Sequence, residues 1–149
     1  MNYWLMKCEP SAYTIDDLGR DGTTSWEGVR NYQARNFMRD QMRIGDGVLF
    51  YHSSCEEPGI AGLAEVASAA YPDPTQFERS SPYYDPKAKK DDPRWFHVEV
   101  RALRKTRLVP LAELRRHKPL AKMVLLRPGN RLSITPVTEG EWTYIGKLV

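Results

Sequence analysis

The apolar runs of this chain are all short, and this limits the elements that the chain can form. The longest runs are a handful of residues, as in segment 123–126, whereas a helix that crosses a bilayer needs about 20. We therefore exclude a membrane-spanning protein and expect short strands and helices. A length of 149 residues suits one compact domain over 1–149.

Several short runs have the composition and the boundaries of β-strands. Tyr3–Met6 is apolar and aromatic, and the runs Val48–His52 and Ile60–Ala67 flank a Pro-Gly turn, which predicts an antiparallel pair. We expect two further strands over Trp95–Leu103 and Arg131–Ile134. Because no strand–helix–strand alternation connects these runs, the pattern favours an α+β domain built on a small mixed sheet or barrel.

Three segments carry signals for the start of a helix. Thr14 precedes two acidic residues and predicts a single capped turn that ends at Gly19. Apolar side chains at helical spacing predict a helix over Asn31–Met42, with Asn31 as its N-cap. Thr138 is placed to cap a helix at the end of the chain.

The segment from Tyr71 to Pro93 is too rich in proline for a regular element. It contains five prolines, two adjacent tyrosines and a lysine-rich run. We interpret it as a long loop inside the domain, and such loops usually have a function.

Basic residues are concentrated in one part of the chain. The net charge of +3 does not by itself indicate a class of partner. Residues 101–131, however, carry ten Lys and Arg side chains against one acid, Glu113. Such a segment attracts polyanions, including nucleic acids, and an ordinary solvated surface is the alternative interpretation.

The sequence lacks the motifs of the common catalytic and cofactor sites. It has no glycine-rich phosphate loop, and no Cys-x-x-Cys motif follows His97 and Glu99 to complete a zinc site, so we expect a solvated or hydrogen-bonded pair there. The run His52–Cys55 lacks the G-x-S-x-G motif of a nucleophile elbow. We therefore expect no catalytic set, cofactor or metal, and interpret this run as a group of recognition side chains.

The amino-terminal segment and the cysteines predict the compartment. The first residues lack the basic segment, apolar core and cleavage site of a secretory signal. Cys8 and Cys55 are too few for a disulfide framework, so we expect two free, buried thiols. Both observations favour a reducing compartment, and we expect the cytoplasm.

Aromatic side chains are frequent beside polar residues in the predicted loops and element ends. Most of these rings are expected to pack in the core, since aromatic side chains bury well. Trp26 is the exception, because its neighbours Ser25, Glu27 and Gly28 suit the rim of a pocket. A ring of this kind next to a basic surface is typical of sites that bind single-stranded or extruded bases.

Several long motifs then resemble one family. In chain order, the motifs are Tyr3–Pro10, Trp26–Asn36, Gly45–Gly47, Phe50–Ser53, Gly59–Gly62, Tyr84–Lys87 and Arg131–Val137. This series resembles the EVE domain family of the PUA-like superfamily over nearly the whole chain. The resemblance implies a PUA-like mixed β-barrel flanked by short helices. It also implies a non-catalytic reader of modified cytosine in DNA, with RNA as the alternative nucleic acid.

The resemblance further implies a pocket for the base, in which Trp26 forms one wall and Trp95 the opposite wall. The pocket positions are Ser25, Trp26, Val29, Asn31, His52, Ser53, Asp85 and Trp95. The cations expected to contact the nucleic-acid backbone near that pocket are Lys7, Arg30, Arg35, Arg39 and Lys87, with Lys89 and Lys90.

Two other functions remain open from the residues. A small-molecule or nucleotide binder, or an enzyme, would use His52, Ser53, Cys55 and Asp85 in the same pocket. A protein-interaction module is the third possibility. Its sign would be burial of both Trp26 and Trp95 in a self-contained core.

Overall fold

The computed structural model describes all 149 residues and contains a six-stranded mixed sheet with a separate two-stranded ladder. The strands are β1 (Tyr3–Cys8), β2 (Thr23–Ser25), β3 (Gly47–His52), β4 (Gly59–Val66), β5 (Tyr71–Pro72), β6 (Phe96–His97), β7 (Glu99–Pro110) and β8 (Ile134–Val137). The order in the large sheet is β2-β7-β4-β3-β1-β8, and β5 pairs with β6.

Four short α-helices flank the sheet. They are α1 (Ile15–Asp21), α2 (Tyr32–Asn36), α3 (Leu111–Leu114) and α4 (Glu139–Leu148). The three predicted caps are confirmed: Thr14, Asn31 and Thr138 each accept from the backbone N–H of the residue three positions further along the chain. Hydroxyl and amide oxygens satisfy donors that the first turn of a helix cannot pair internally.

The pairing directions confirm an α+β fold with a mixed sheet. β1 runs parallel to β3 and antiparallel to β8, while β3, β4 and β7 form successive antiparallel pairs. The edge strands β2 and β8 do not pair with each other or with any further strand, so the six-stranded sheet is open.

Two hydrophobic cores lie on opposite faces of the sheet. Side chains alternate along β1, so that Trp4 and Met6 enter one core and Leu5 enters the other. We call the first the upper core; it also contains buried side chains of α1, α2 and Trp26. The lower core contains buried side chains of α3 and α4, among them Leu114 and Ile145.

The boundaries of several predicted elements are wrong. The first helix continues past Gly19 and ends at Gly22, whose φ of +78° suits glycine. The predicted helix over 31–42 is α2 followed by a π-helical segment, Phe37–Gln41. The last strand is 134–137 rather than 131–134, because its pairing with Tyr3–Met6 of β1 sets its position.

The long loop over 71–93 contains β5 and a 3-10 turn, Pro74–Phe77, and is otherwise irregular. The buried side chain of Gln76 joins the beginning of this loop to the backbone just after its end. The amide nitrogen donates to the carbonyls of Asp73 and Trp95, both at 2.7 Å, and the amide oxygen accepts from the backbone N–H groups of Arg94 and Trp95. These bonds pair backbone groups that an irregular buried segment would otherwise leave unsatisfied.

The two thiols differ from the expectation. Cys8 is half-buried, and burial raises its pKa to about 11, but Cys55 is exposed in the turn after β3. The expected burial of Cys55 is therefore wrong. None of the helices combines the length and the apolar composition that a bilayer span requires.

Candidate functional site

A cavity of about 470 Å³ opens beside the upper core. Its lining comes from the ends of β1 and β2, from segments 9–13 and 26–30, and from two residues distant in sequence, Tyr83 and Ser133. Trp26 is only 7% exposed, and its ring packs edge-on against Phe50, with the centroids 5.6 Å apart. Trp26 is thus a buried wall of the cavity, and its predicted position on an exposed rim is wrong.

Charged groups of both signs lie on the cavity lining. Lys7 forms no salt bridge there, and burial lowers the pKa of its ammonium group. Burial is the main cause that raises the pKa of Glu27, and the nearby carboxylates of Asp73 and Glu78 raise it further. The cavity therefore presents both hydrogen-bond donors and acceptors next to aromatic walls.

A fully buried carboxylate fixes the position of one wall. Asp73 accepts from the Gly28 N–H at 2.8 Å, from Arg30 Nη1 at 3.2 Å, and from the Thr75 N–H and hydroxyl at 2.9 and 2.6 Å. Burial acts to raise the pKa of Asp73, but these hydrogen bonds outweigh it and hold the pKa below its usual value. Asp73 thus joins segment 28–30 to the beginning of the long loop.

Arg30 uses all of its donors within the protein. Nε and Nη2 donate to the Tyr83 carbonyl at 3.2 and 2.8 Å, Nη1 donates to the Val29 carbonyl and Asp73, and Nη2 also donates to Thr75. A guanidinium has five N–H donors, and these bonds account for all of them. Arg30 therefore positions Tyr83 at the cavity and has no donor left for a phosphate.

The Tyr83 ring lies directly against Gly28. A Cβ atom built on Gly28 would stand 2.6 Å from the ring, and the φ of this glycine is +82°. Both the close approach and the left-handed backbone require glycine. This packing allows Tyr83 to reach the cavity from the long loop.

Comparison with known proteins identifies the family. The model of the EVE domain family matches residues 2–148. The chain belongs to the EVE family. Human thymocyte nuclear protein 1 is 46% identical, over 97% of this chain and 72% of its own length.

Solved structures of relatives have the same fold as this EVE domain. One of them is a crystal structure of human thymocyte nuclear protein 1 (THYN1) in complex with 5-methylcytosine-containing DNA. Its sequence is 46% identical to this chain, the TM-score is 0.92, and the match covers 99% of this chain and 97% of that one. A protein from Pseudomonas putida is 47% identical, with a TM-score of 0.94, over 98% of each chain.

The comparison corrects the expected location. The cytoplasmic location is wrong, since the human, mouse and chicken relatives are named as nuclear proteins. A missing secretory signal and free cysteines do not distinguish the cytosol from the nucleus, because both are reducing compartments.

Trp95 and Asp85 lie together in this EVE domain, but neither lines the cavity. The Trp95 ring stacks on Tyr32 with the centroids 4.8 Å apart, and its indole N–H donates to Asp85 at 2.8 Å. This bond and one from the Lys87 backbone lower the pKa of Asp85. Trp95 is 6% exposed, so it supports the neighbouring loop rather than closing a wall opposite Trp26. Both tryptophans are therefore buried, as expected for a protein-interaction module, but Trp26 also lines an open cavity and so does not belong to a self-contained core.

Three further predicted pocket residues also lie off the cavity lining. The Asn31 side chain accepts from the Ala34 N–H as the α2 cap. His52 Nε2 accepts from the Ile15 N–H at 3.2 Å, and burial lowers the pKa of this imidazole. Ser53 follows the end of β3. Of the eight predicted pocket positions, the structure therefore places three on the cavity lining, Ser25, Trp26 and Val29.

The predicted backbone-contact cations also differ in availability. Lys7 lines the cavity. Arg35 lies over the Tyr32 ring at 4.7 Å and donates to the Arg94 carbonyl, and Arg39 pairs with Asp40 at 2.8 Å. Lys87, Lys89 and Lys90 are exposed on the long loop. The arginines of segment 30–39 thus serve intramolecular contacts.

His97 and Glu99 do not form the expected solvated or hydrogen-bonded pair. His97 is 1% exposed, and neither ring nitrogen has a hydrogen-bond partner. Its ring packs edge-on against Tyr71 at 4.4 Å between centroids. Burial lowers the pKa of His97, so the neutral imidazole is the favoured form.

Sequence reasoning missed several residues of the site. Glu27 and Tyr83 line the cavity, and Asp73 anchors it. Glu27 lies within the Trp26 motif and Tyr83 next to the Tyr84–Lys87 motif, so a signal for both was present. Asp73 is one acid in a proline-rich loop and has no local signal, because its partners are distant in sequence.

Proposed function

We propose that this EVE domain binds DNA and reads a modified cytosine that is turned out of the helix into the cavity beside Trp26. The observation that carries the proposal is an open cavity with aromatic walls, an unpaired ammonium group and a carboxylate. The relative crystallised with 5-methylcytosine-containing DNA supports the choice of ligand. The protein acts as a reader and performs no reaction on the base.

Stacking alone does not offset the free energy needed to extrude a base, so contacts with the DNA backbone are also required. Extruding a base costs a few kcal/mol, and stacking on an aromatic side chain returns about 1–3 kcal/mol. Tyr13, Trp26 and Tyr83 are the rings on the lining that are available for stacking. Hydrogen bonds to the base edge and contacts with phosphates supply the remaining free energy.

The charged groups of the cavity suit cytosine better than thymine. The exocyclic amine of cytosine is a donor, and a carboxylate such as Glu27 accepts from it, whereas thymine presents an acceptor at that position. The ammonium group of Lys7 is available for a carbonyl oxygen of the base. Glu27 therefore selects for the amine, and Lys7 adds an orienting contact.

The methyl group itself gives a modest preference. Burying one carbon of this kind contributes about 0.8 kcal/mol, which corresponds to roughly fourfold in affinity. Val29 and Ala12 are the aliphatic side chains on the lining. We therefore expect a graded preference for 5-methylcytosine over cytosine.

Fluorescence anisotropy with duplexes that differ at one cytosine tests the proposal. The protein should bind 5-methylcytosine more tightly than cytosine. Trp26→Ala should remove most of this difference, and Glu27→Gln should reduce the discrimination against thymine. Glu56→Gln is the matched control, since Glu56 is exposed and lies outside the lining. The absence of salt-sensitive binding to any duplex, together with no loss on Trp26→Ala, would refute the proposal.

No comparable observation favours a nucleotide-binding protein or an enzyme. His52, Cys55 and Asp85 were the groups available for that function, and none of them lines the cavity with Trp26. An RNA of the same sequence serves as a further arm of the binding experiment. Tighter binding to RNA than to DNA would contradict the choice of nucleic acid.

A further inference from the structure

The basic segment over 101–131 contains two kinds of cation. Arg101, Lys105 and Arg107 each form a salt bridge of 2.7–2.9 Å with a carboxylate. Arg115 donates to the backbone carbonyl of Leu126. The exposed cations of the segment whose side chains form neither a salt bridge nor a hydrogen bond are Arg104, Arg116, Lys118, Lys122, Arg127 and Arg131. Only cations of this second kind are free to bind an anion without first losing a partner.

One end of the segment reaches the cavity. Ser133 is part of the lining, and its carbonyl accepts from the backbone N–H of Lys7 at 2.8 Å. Since two residues of extended chain span at most about 7 Å, the backbone of Arg131 lies within that distance of the Ser133 backbone. Lys7 on the lining and Arg131, two residues before the lining residue Ser133, are thus cations without a salt bridge near the cavity.

The loop that carries Arg131 is held in one conformation by Asn130. The Asn130 N–H donates to the Arg127 carbonyl at 3.2 Å, its side-chain nitrogen donates to the Val124 carbonyl at 2.9 Å, and its side-chain oxygen accepts from the Leu132 N–H at 3.1 Å. A loop fixed at three points presents its side chains with little loss of conformational entropy on binding. Arg127 and Arg131 lie at the two ends of this turn.

We propose that the loop over 127–131 is the phosphate-binding surface next to the cavity, where Arg127 and Arg131 contact DNA phosphates that flank the extruded base. The inference rests on the proposed function and assigns the backbone contacts that it requires. Guanidinium groups bind phosphate oxygens in a bidentate manner. Three of the contacts predicted from the sequence lie in segment 30–39, and its arginines are engaged within the protein.

The test is the salt dependence of DNA binding by the double variant Arg127→Ala/Arg131→Ala, measured from about 50 to 200 mM salt. Affinity should fall by about tenfold or more for modified and unmodified duplexes alike. The slope of log K against log salt should become smaller by about 1 for each lost contact. Equal melting temperatures of variant and parent show that folding is unchanged.

The matched control is Arg116→Ala/Lys118→Ala. It removes two positive charges from exposed positions that lie at least 15 residues before Ser133 in the chain, next to Leu114 and Leu120 of the lower core. We expect less than a twofold change. An equal loss for both double variants, or an unchanged salt slope for the loop variant, would overturn the proposal.

The experiment also separates this inference from the proposed function. If the parent protein does not distinguish 5-methylcytosine from cytosine but the loop variant still loses salt-dependent affinity, base reading is refuted and the phosphate surface stands. If Trp26→Ala abolishes the preference for 5-methylcytosine and the loop variant binds like the parent, base reading stands and the phosphate surface is refuted.

Discussion

Replacing Asp73 with asparagine tests whether one buried carboxylate holds the cavity wall in place. One carboxylate oxygen accepts both donors of Thr75, and the other accepts from the Gly28 N–H and from Arg30. Asparagine has nearly the size of aspartate but only one acceptor oxygen. Its amide nitrogen is a donor and would face the N–H or O–H donors that now bond to the second carboxylate oxygen. One of the two pairs of bonds must therefore break.

The expected cost is about 3 kcal/mol of unfolding free energy. Hydrogen bonds to a charged group contribute about 1.5–3 kcal/mol each, and breaking a buried ion pair costs about 3–5 kcal/mol. We take the lower part of this range because the Arg30 side chain is 22% exposed and water can partly replace its partner. Since domains of this size have about 5–15 kcal/mol of stability, the variant should still fold.

Urea unfolding measures this loss, and Asp40→Asn is the control. Asp40 is half-exposed and pairs with Arg39 on the surface, so its substitution should change stability by less than about 0.5 kcal/mol. The Asp73 variant should also bind 5-methylcytosine DNA more weakly, because Arg30 no longer fixes Tyr83. A loss below about 1 kcal/mol would contradict the anchoring role of Asp73.

The same variant has a pH signature. The pKa of Asp73 is lowered in the folded protein, so its charge stabilises the fold above the pKa of the unfolded chain, near 4. This contribution is lost as the pH falls through the folded pKa. The stability difference between parent and Asp73→Asn should therefore narrow below about pH 4, and a constant difference would contradict the assignment.

Three further predictions follow from single contacts. Gly28→Ala should lower stability by about 1–3 kcal/mol, because of its positive φ and its contact with Tyr83, and should weaken DNA binding; unchanged binding would contradict the packing. Burial lowers the pKa of His97, so as the pH falls below about 6.5 the unfolded chain takes up a proton before the folded protein does, and the free energy of unfolding decreases. His97→Leu should make the free energy of unfolding less dependent on pH below about 6.5, and parallel pH profiles of variant and parent would count against this. Thr138→Ala should cost about 1 kcal/mol in thermal unfolding by removing the α4 cap, whereas Thr23→Ala, at an exposed strand position, should cost less.

Local chemistry explains which parts of the fold were predictable. Thr14, Asn31 and Thr138 were identified as caps because each capping bond joins residues only three positions apart. The antiparallel pairing of β3 with β4 was predicted from the Pro-Gly turn between the two strands. The ends of elements were less predictable. Helix α1 tolerates Gly19 in its interior, and the backbone conformation of Gly22 sets the end of the helix.

The site depends on contacts that join distant segments. Trp26 was identified from its motif, but its burial against Phe50 requires the assembled sheet. Arg30 was predicted as a phosphate contact from its charge alone, and only the fold shows that Asp73 and Tyr83 use its donors. Charge in a sequence therefore indicates a possible partner, but the hydrogen bonds of the fold decide whether the side chain is free.

The two cores on opposite faces of the sheet have a consequence for evolution and for protein engineering. The cavity adjoins the upper core, while Leu114 and Ile145 lie in the lower core, beyond the sheet. Effects of substitutions at distant, independent sites on stability are nearly additive. Stabilising substitutions in the lower core can therefore compensate for destabilising changes around Trp26, so that ligand preference diversifies while the scaffold stays folded.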